Sequence, residues 1–142
     1  MPILKESDGP TNKGDREMSI DIAARERALA DYLDCELYDV VGSLEDALYG
    51  EGVWVDGPGR SEYVVCTDKE ADRAWDEALD SYLDDCVMPE IPDNVRYYFD
   101  RDAWKRDARF DGRGHALSSY DGSECDLTDP ETGAHFVAFR VN

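Results

Sequence analysis

The chain has 142 residues and a formal charge of −19, and it is 42% apolar and 11% aromatic. That is one ordinary domain with enough apolar residues for a core, which excludes a disordered acidic tail. The sign of the charge excludes direct nucleic-acid binding through a basic stripe, and no apolar run approaches the ~20 residues of a membrane helix.

Residues 1–18 are polar, with Gly9-Pro10 and Gly14, and are expected to form a mobile tail ahead of a single domain, 19–142. They lack the apolar centre of a secretion signal, so a cytoplasmic protein is expected. Ser19 can cap a helix through Leu33, with Ile22, Leu29 and Leu33 on its apolar side. Ser43 with Asp46 resembles a second cap, opening a short helix that Gly50 or Gly52 stops. Val53–Val55 and Tyr63–Cys66 read as strands around the turn Asp56-Gly57-Pro58-Gly59. Thr67-Asp68-Lys69-Glu70 is a capping box. Behind it Ala71, Ala74, Trp75, Ala78, Leu79, Tyr82, Leu83 and Cys86 form one apolar stripe at helical spacing, ended by Met88-Pro89. Pro92 opens a short helix through Tyr98, and Asp100 caps another that Asp111-Gly112-Arg113-Gly114 breaks. His135–Val141 reads as a closing strand.

These elements predict an α+β fold, a small, mostly antiparallel sheet packed with four or five helices. Trp75, Leu79, Tyr82, Leu83, Trp104, Phe110 and Phe136 are the expected core. Cys35, Cys66, Cys86 and Cys125 contain no Cys-x-x-Cys pair and read as free, buried thiols in a reducing compartment.

The charge is placed, not spread. Nineteen of the 34 acids lie between Asp31 and Asp93, against only Arg60, Lys69 and Arg73. On the helix after Thr67, Asp72, Asp76, Asp80 and Asp84 recur every four residues, a line of carboxylates about 6 Å apart along the axis. Three like-charged pairs at that spacing destabilise a helix by roughly 1 kcal/mol together. A chain that keeps such a ladder is expected to use it, and a rod of carboxylates can imitate part of the phosphate array of DNA. A solvated outer helix face, or adaptation to high salt, gives the same pattern. The expected contact surface is Asp72, Asp76, Glu77, Asp80, Asp84 and Asp85, extended by Asp34, Glu36, Glu45 and Asp46. Its expected partner is the basic DNA-binding surface of another protein.

The segment Pro89-Glu90-Ile91-Pro92-Asp93-Asn94-Val95-Arg96-Tyr97-Tyr98-Phe99-Asp100, continuing through Ala103, Arg106-Asp107 and Gly112, resembles the C-terminal region of ArdA-type antirestriction proteins. The wider run from Tyr63 to Asn142 is similar to small acidic proteins of phages and prophages. The resemblance implies an acidic, dimeric DNA mimic from a mobile element that inhibits a host defence system of restriction or CRISPR type. It implies no enzyme activity, cofactor or metal.

The loop 111–124 holds the rival chemistry. His115, Ser118 and Asp121 are the residue types of a nucleophilic triad, but no Gly-x-Ser-x-Gly elbow accompanies them. The spacing of His115, Cys125 and His135 matches no zinc finger, and no Asp-x-Asp-x-Asp-Gly calcium loop appears. The alternative to mimicry is an accessory protein that binds through this Gly-rich loop, with the acidity serving solubility. The bases Arg96, Arg101, Lys105, Arg106, Arg109 and Arg113 can pair locally with the interleaved Asp100, Asp102, Asp107 and Asp111, or this less acidic end can dock on the acidic helix of a second copy in a homodimer.

Overall fold

The structure, a computed structural model, describes the backbone of residues 10–43 and 47–142, and side chains from residue 21 onward. The fold is α+β. Among the described residues there are five α-helices and one five-stranded antiparallel sheet. The strands are β1 (Val41–Gly42), β2 (Val53–Asp56), β3 (Glu62–Cys66), β4 (Cys125–Thr128) and β5 (His135–Arg140). Their order across the sheet is β1-β2-β3-β5-β4.

The two central strands explain the layering. In β3, Tyr63 and Val65 face one way while Val64 and Cys66 face the other, and all four are buried. In β5, Phe136 and Ala138 alternate in the same manner with Val137 and Phe139. A strand apolar on both faces must be covered on both. On one face, α1 (Pro10–Leu33) lays Ala24, Ala28 and Leu29 over Val55, Val65 and Ala138. On the other, α2 (Asp68–Tyr82) and α5 (Arg113–Leu117) bring Ala71, Ala74 and Leu117 against Val64, Val137 and Phe139. Small alanines on both helices allow close approach to the sheet.

The expected β2–β3 hairpin is present, with Val53 opposite Val65 and Asp56 opposite Glu62. The short β1 and β4 were not foreseen. Each pairs along only one edge, so its existence depends on the neighbouring strand and not on its own pattern. The α1 helix begins at Pro10, not after Ser19, so residues 10–18 continue it; residues 1–9 of the expected tail lie outside the described residues. Pro at the first helical position, with Lys13, Arg16 and Glu17, suits that extension, while Gly14 opposes it. The helix expected from Ser43 has its first turn at 44–46, also outside the described residues; Leu48 and Glu51 form an isolated bridge.

The Thr67 capping box is made: the Glu70 N–H donates to Thr67 Oγ1 at 3.2 Å and the Thr67 N–H to Glu70 Oε1 at 2.9 Å. A π-helical turn, Leu83–Val87, extends α2. There follow α3 (Asp93–Arg96) and α4 (Arg101–Ala108), the latter capped by the Asp100 carboxylate accepting from the Ala103 N–H at 3.0 Å. The core expectation needs correction at two positions. Leu79, Leu83 and Phe136 are buried, and Trp75 and Trp104 partly so, but Tyr82 is 55% exposed and Phe110 88%. The stripe on α2 is wider than the area the sheet covers, and Phe110 follows a helix with no buried residue.

Candidate functional site

The carboxylate ladder of α2 does not stand free. A second ladder of bases with the same period of four runs against it: Arg101, Lys105 and Arg109 on α4 and the turn after it, then Arg113 at the start of α5. Asp84 meets Arg101 at 2.9 Å, Asp80 meets Arg101 at 3.2 Å and Lys105 at 3.1 Å. Asp76 meets Lys105 at 2.8 Å and Arg109 at 2.9 Å. Asp72 meets Arg113 at 2.9 Å, and Arg113 also binds Asp68 at 3.1 Å and Glu124 at 2.7 Å. The two ladders run antiparallel and interlock. Burial pushes the Asp80 carboxyl pKa up, but the hydrogen bonds and charges of Lys105 and Arg101 outweigh it and hold the pKa below the ordinary value. The hydrogen bond and charge of Glu124, with Asp68 and Asp72, hold the Arg113 guanidinium well above its ordinary pKa against the opposing effect of burial.

This arrangement changes two expectations. Arg101, Lys105, Arg109 and Arg113 do not pair with the interleaved aspartates; they reach Asp72, Asp76, Asp80 and Asp84 instead, and Arg96 pairs with Asp93. The docking of this basic stretch on an acidic helix is made within one chain through Arg101, Lys105, Arg109 and Arg113, while Arg106 is exposed with no ion pair among the described residues. The like-charge repulsion along α2 is offset in cis.

The remaining expected surface residues divide. Glu77 and Asp85 are exposed with no cationic partner among the described residues; Asp85 accepts only a long 3.4 Å bond from Ser81. Asp34 and Glu36 follow α1, which belongs to the layer across the sheet, so they do not continue the α2 ladder. Asp34 ends α1 with φ 55°, a left-handed position where Gly is usual, and its N–H bonds the Asp31 carbonyl at 3.2 Å. Glu45 and Asp46 lie outside the described residues.

Beside the paired ladders lies a groove of about 830 Å³ between the end of α2, α4 and the start of α5. Trp75, Leu79 and Tyr82 line it from α2, Trp104 and Asp107 from α4, then Asp111 and His115. Tyr82 and Trp104 stack with ring centres 5.9 Å apart. The Trp75 indole N–H is buried with no hydrogen-bond partner. Helical spacing marks Trp75 and Trp104 as apolar positions without distinguishing core from groove wall, and both are half-buried at the groove. The signal was present in the matched spacing of four in the two segments, Asp72 to Asp84 and Arg101 to Arg113.

The loop 111–124 is largely structured. Gly112 turns the chain at φ 87°, α5 follows, and a Cβ on Gly114 would lie 2.7 Å from the Gly122 carbonyl oxygen. Ser118 is buried, with its hydroxyl 2.9 Å from Asp121 and 2.7 Å from the Arg140 carbonyl. His115 is exposed at the groove, apart from that network. Of the four free cysteines only Cys66 is buried, its thiol pKa pushed up to about 12 by burial and then by Glu70; Cys35 and Cys125 are half-buried and Cys86 is exposed, a correction to the buried expectation. Among the described residues no group of three or more His, Cys, Asp or Glu is disposed to hold a metal, and no helix is long and apolar enough to cross a membrane.

No protein-family model matches the chain, and no curated protein or solved structure proved similar to it.

Proposed function

We propose that the protein is a non-enzymatic inhibitor that occupies a basic, DNA-binding surface of a host defence protein, as an acidic mimic of nucleic acid. One observation carries this reading: the surplus charge at the surface is carboxylate. Arg25, Arg27, Arg73, Arg96, Arg101, Lys105, Arg109 and Arg113 are engaged in ion pairs within the chain, and the exposed bases outside such pairs, Arg60, Lys69 and Arg106, are scattered. Glu77, Asp85, Asp107 and Asp111 are exposed, and no ion pair reaches them among the described residues. A surface of this kind attracts a basic protein and repels nucleic acid. The interlocked ladders neutralise the line from Asp72 to Asp84, so the contact falls to the unpaired carboxylates around it. The likeness of the 89–112 segment to ArdA-type antirestriction proteins points to the same class, and that segment exposes Tyr97, Tyr98 and Phe110, aromatics of the kind that interfaces recruit.

The test is a panel of type I restriction and CRISPR nucleases assayed for DNA cleavage with and without the protein. Mimicry predicts relief of cleavage for at least one enzyme, weakening steeply from low to physiological salt. Inhibition indifferent to salt, or none across the panel, removes the reading. The alternative, an accessory protein binding through loop 111–124, draws on Asp111, Gly112 and His115 lining the groove. It predicts a partner lost on His115→Ala and kept on Glu77→Gln.

A further inference from the structure

We infer that the groove between α2, α4 and α5 is an anchor for an arginine side chain of the partner. That a basic protein supplies the arginine rests on the mimic reading; the chemistry of the anchor stands on the groove itself.

Four flat aromatic rings, Tyr49, Trp75, Tyr82 and Trp104, line the groove. Asp85, Asp107 and Asp111 line it too, and no Lys or Arg does. These three carboxylates are exposed and have no cationic partner among the described residues, unlike the ladder beside them. An aromatic wall with unneutralised carboxylates selects a planar cation, which stacks on the ring and donates in a fork to the carboxylate. A neutral apolar ligand would leave the carboxylates facing an apolar group, and an anion would be repelled. The molecule already makes this arrangement at the edge of the same groove. The Arg109 guanidinium carbon lies 5.7 Å from the centre of the Trp75 ring while Nη2 bonds Asp76 at 2.9 Å. The volume of about 830 Å³ exceeds one side chain, so it admits the arginine together with flanking backbone. The π-helical turn that carries Asp85 into the groove is a distortion frequent at binding sites.

The experiment titrates the full chain with a short, end-blocked peptide centred on arginine, and with its lysine and citrulline counterparts. The readout is the NMR signal of each tryptophan indole N–H. Trp54, on β2 and outside the groove, is the internal reference. The arginine peptide is expected to shift the Trp75 and Trp104 signals saturably and leave Trp54 in place. Citrulline, of the same shape without the charge, should give no shift, and lysine should bind severalfold more weakly. The double variant Asp107→Asn/Asp111→Asn, at two exposed positions, should lose at least tenfold in affinity for the arginine peptide. Equal binding of the citrulline or lysine peptide, or unchanged affinity of the double variant, overturns the assignment. The two readings fail separately. Groove binding with no nuclease inhibited removes mimicry and leaves the anchor. Nuclease inhibition undiminished in the double variant removes the anchor and leaves mimicry.

Discussion

Asp129 is the most tightly held carboxylate outside the ladders. It is fully buried at the turn between β4 and β5 and accepts from Arg27 Nε at 2.9 Å and Nη2 at 2.8 Å. It also accepts from the Glu131 N–H at 3.1 Å and from Thr132 Oγ1 at 2.6 Å. One side chain thereby ties α1 to the far edge of the sheet. The Arg27 hydrogen bonds outweigh burial and hold its pKa well below the ordinary carboxylate range. A depressed pKa means the fold binds the carboxylate and not the acid, so its stabilisation is complete above the unfolded value of about 3.9. It is lost as the pH falls through that value toward the folded one. Asp129→Asn should destabilise by about 2–3 kcal/mol at pH 7, less than a wholly enclosed pair, because Arg27 keeps Glu131 and some solvent. In urea unfolding, the gap between parent and variant should narrow from pH 7 to pH 3. A gap that stays constant would mean that the charge on Asp129 contributes nothing.

Arg25, on the same helix, shows the complementary case. It is buried, bonds Glu70 and the Val65 carbonyl, and lies 5.2 Å over the Phe136 ring. Glu70 thus serves its own helix cap and a helix across the sheet at once.

At the scale of elements, α4 is a short helix with no buried residue, so little apolar area holds it in place. The interlocked ladders supply what packing does not. Exposed ion pairs contribute little singly, but Lys105 is only 12% exposed and bridges Asp76 and Asp80. Lys105→Ala should therefore cost about 1 kcal/mol, since it removes a partly buried bridge while Asp76 keeps Arg109 and Asp80 keeps Arg101. In a double-mutant cycle with Asp80→Asn, the coupling should be about 1 kcal/mol. Strictly additive losses in thermal or urea unfolding would show that the two ladders are neighbours without being partners.

At the scale of the molecule, internal pairing leaves the formal charge of −19 unchanged. Paired groups are close together and partly shielded, whereas the surplus carboxylates repel over longer distances. Salt screens the second effect more than the first. Raising ionic strength from low to physiological should therefore raise the melting temperature by about 4 °C, for roughly 1 kcal/mol of repulsion relieved. A melting temperature that falls with salt would place most of the stability in the ion pairs. The same screening that steadies the fold should weaken its contact with a basic partner, so stability and inhibition are expected to respond to salt in opposite directions.

Local patterns in the sequence determined most of the secondary structure, because they act between residues close in the chain. The Thr67-to-Glu70 capping box, the Asp100 cap, the alternating β3 and the closing strand are all of this kind. The placement of charge was equally legible, as nineteen acids in one stretch need no coordinates to be seen. The neutralisation of that charge was not. Asp72 and Arg113 are 41 residues apart, and only the return of α4 and α5 against α2 sets the two ladders in register. For the same reason the like-charge repulsion read along α2 found its relief in a distant segment. Trp75, Tyr82 and Trp104 follow the same logic: their spacing marks an apolar face, and only the packing of two helices over one end of it decides that the face is a groove and not core. The two short strands β1 and β4 depended likewise on neighbours already in place. Interactions that decay within a helical turn were readable from order alone, whereas electrostatics and burial depend on distance in space, and only the tertiary fold sets that.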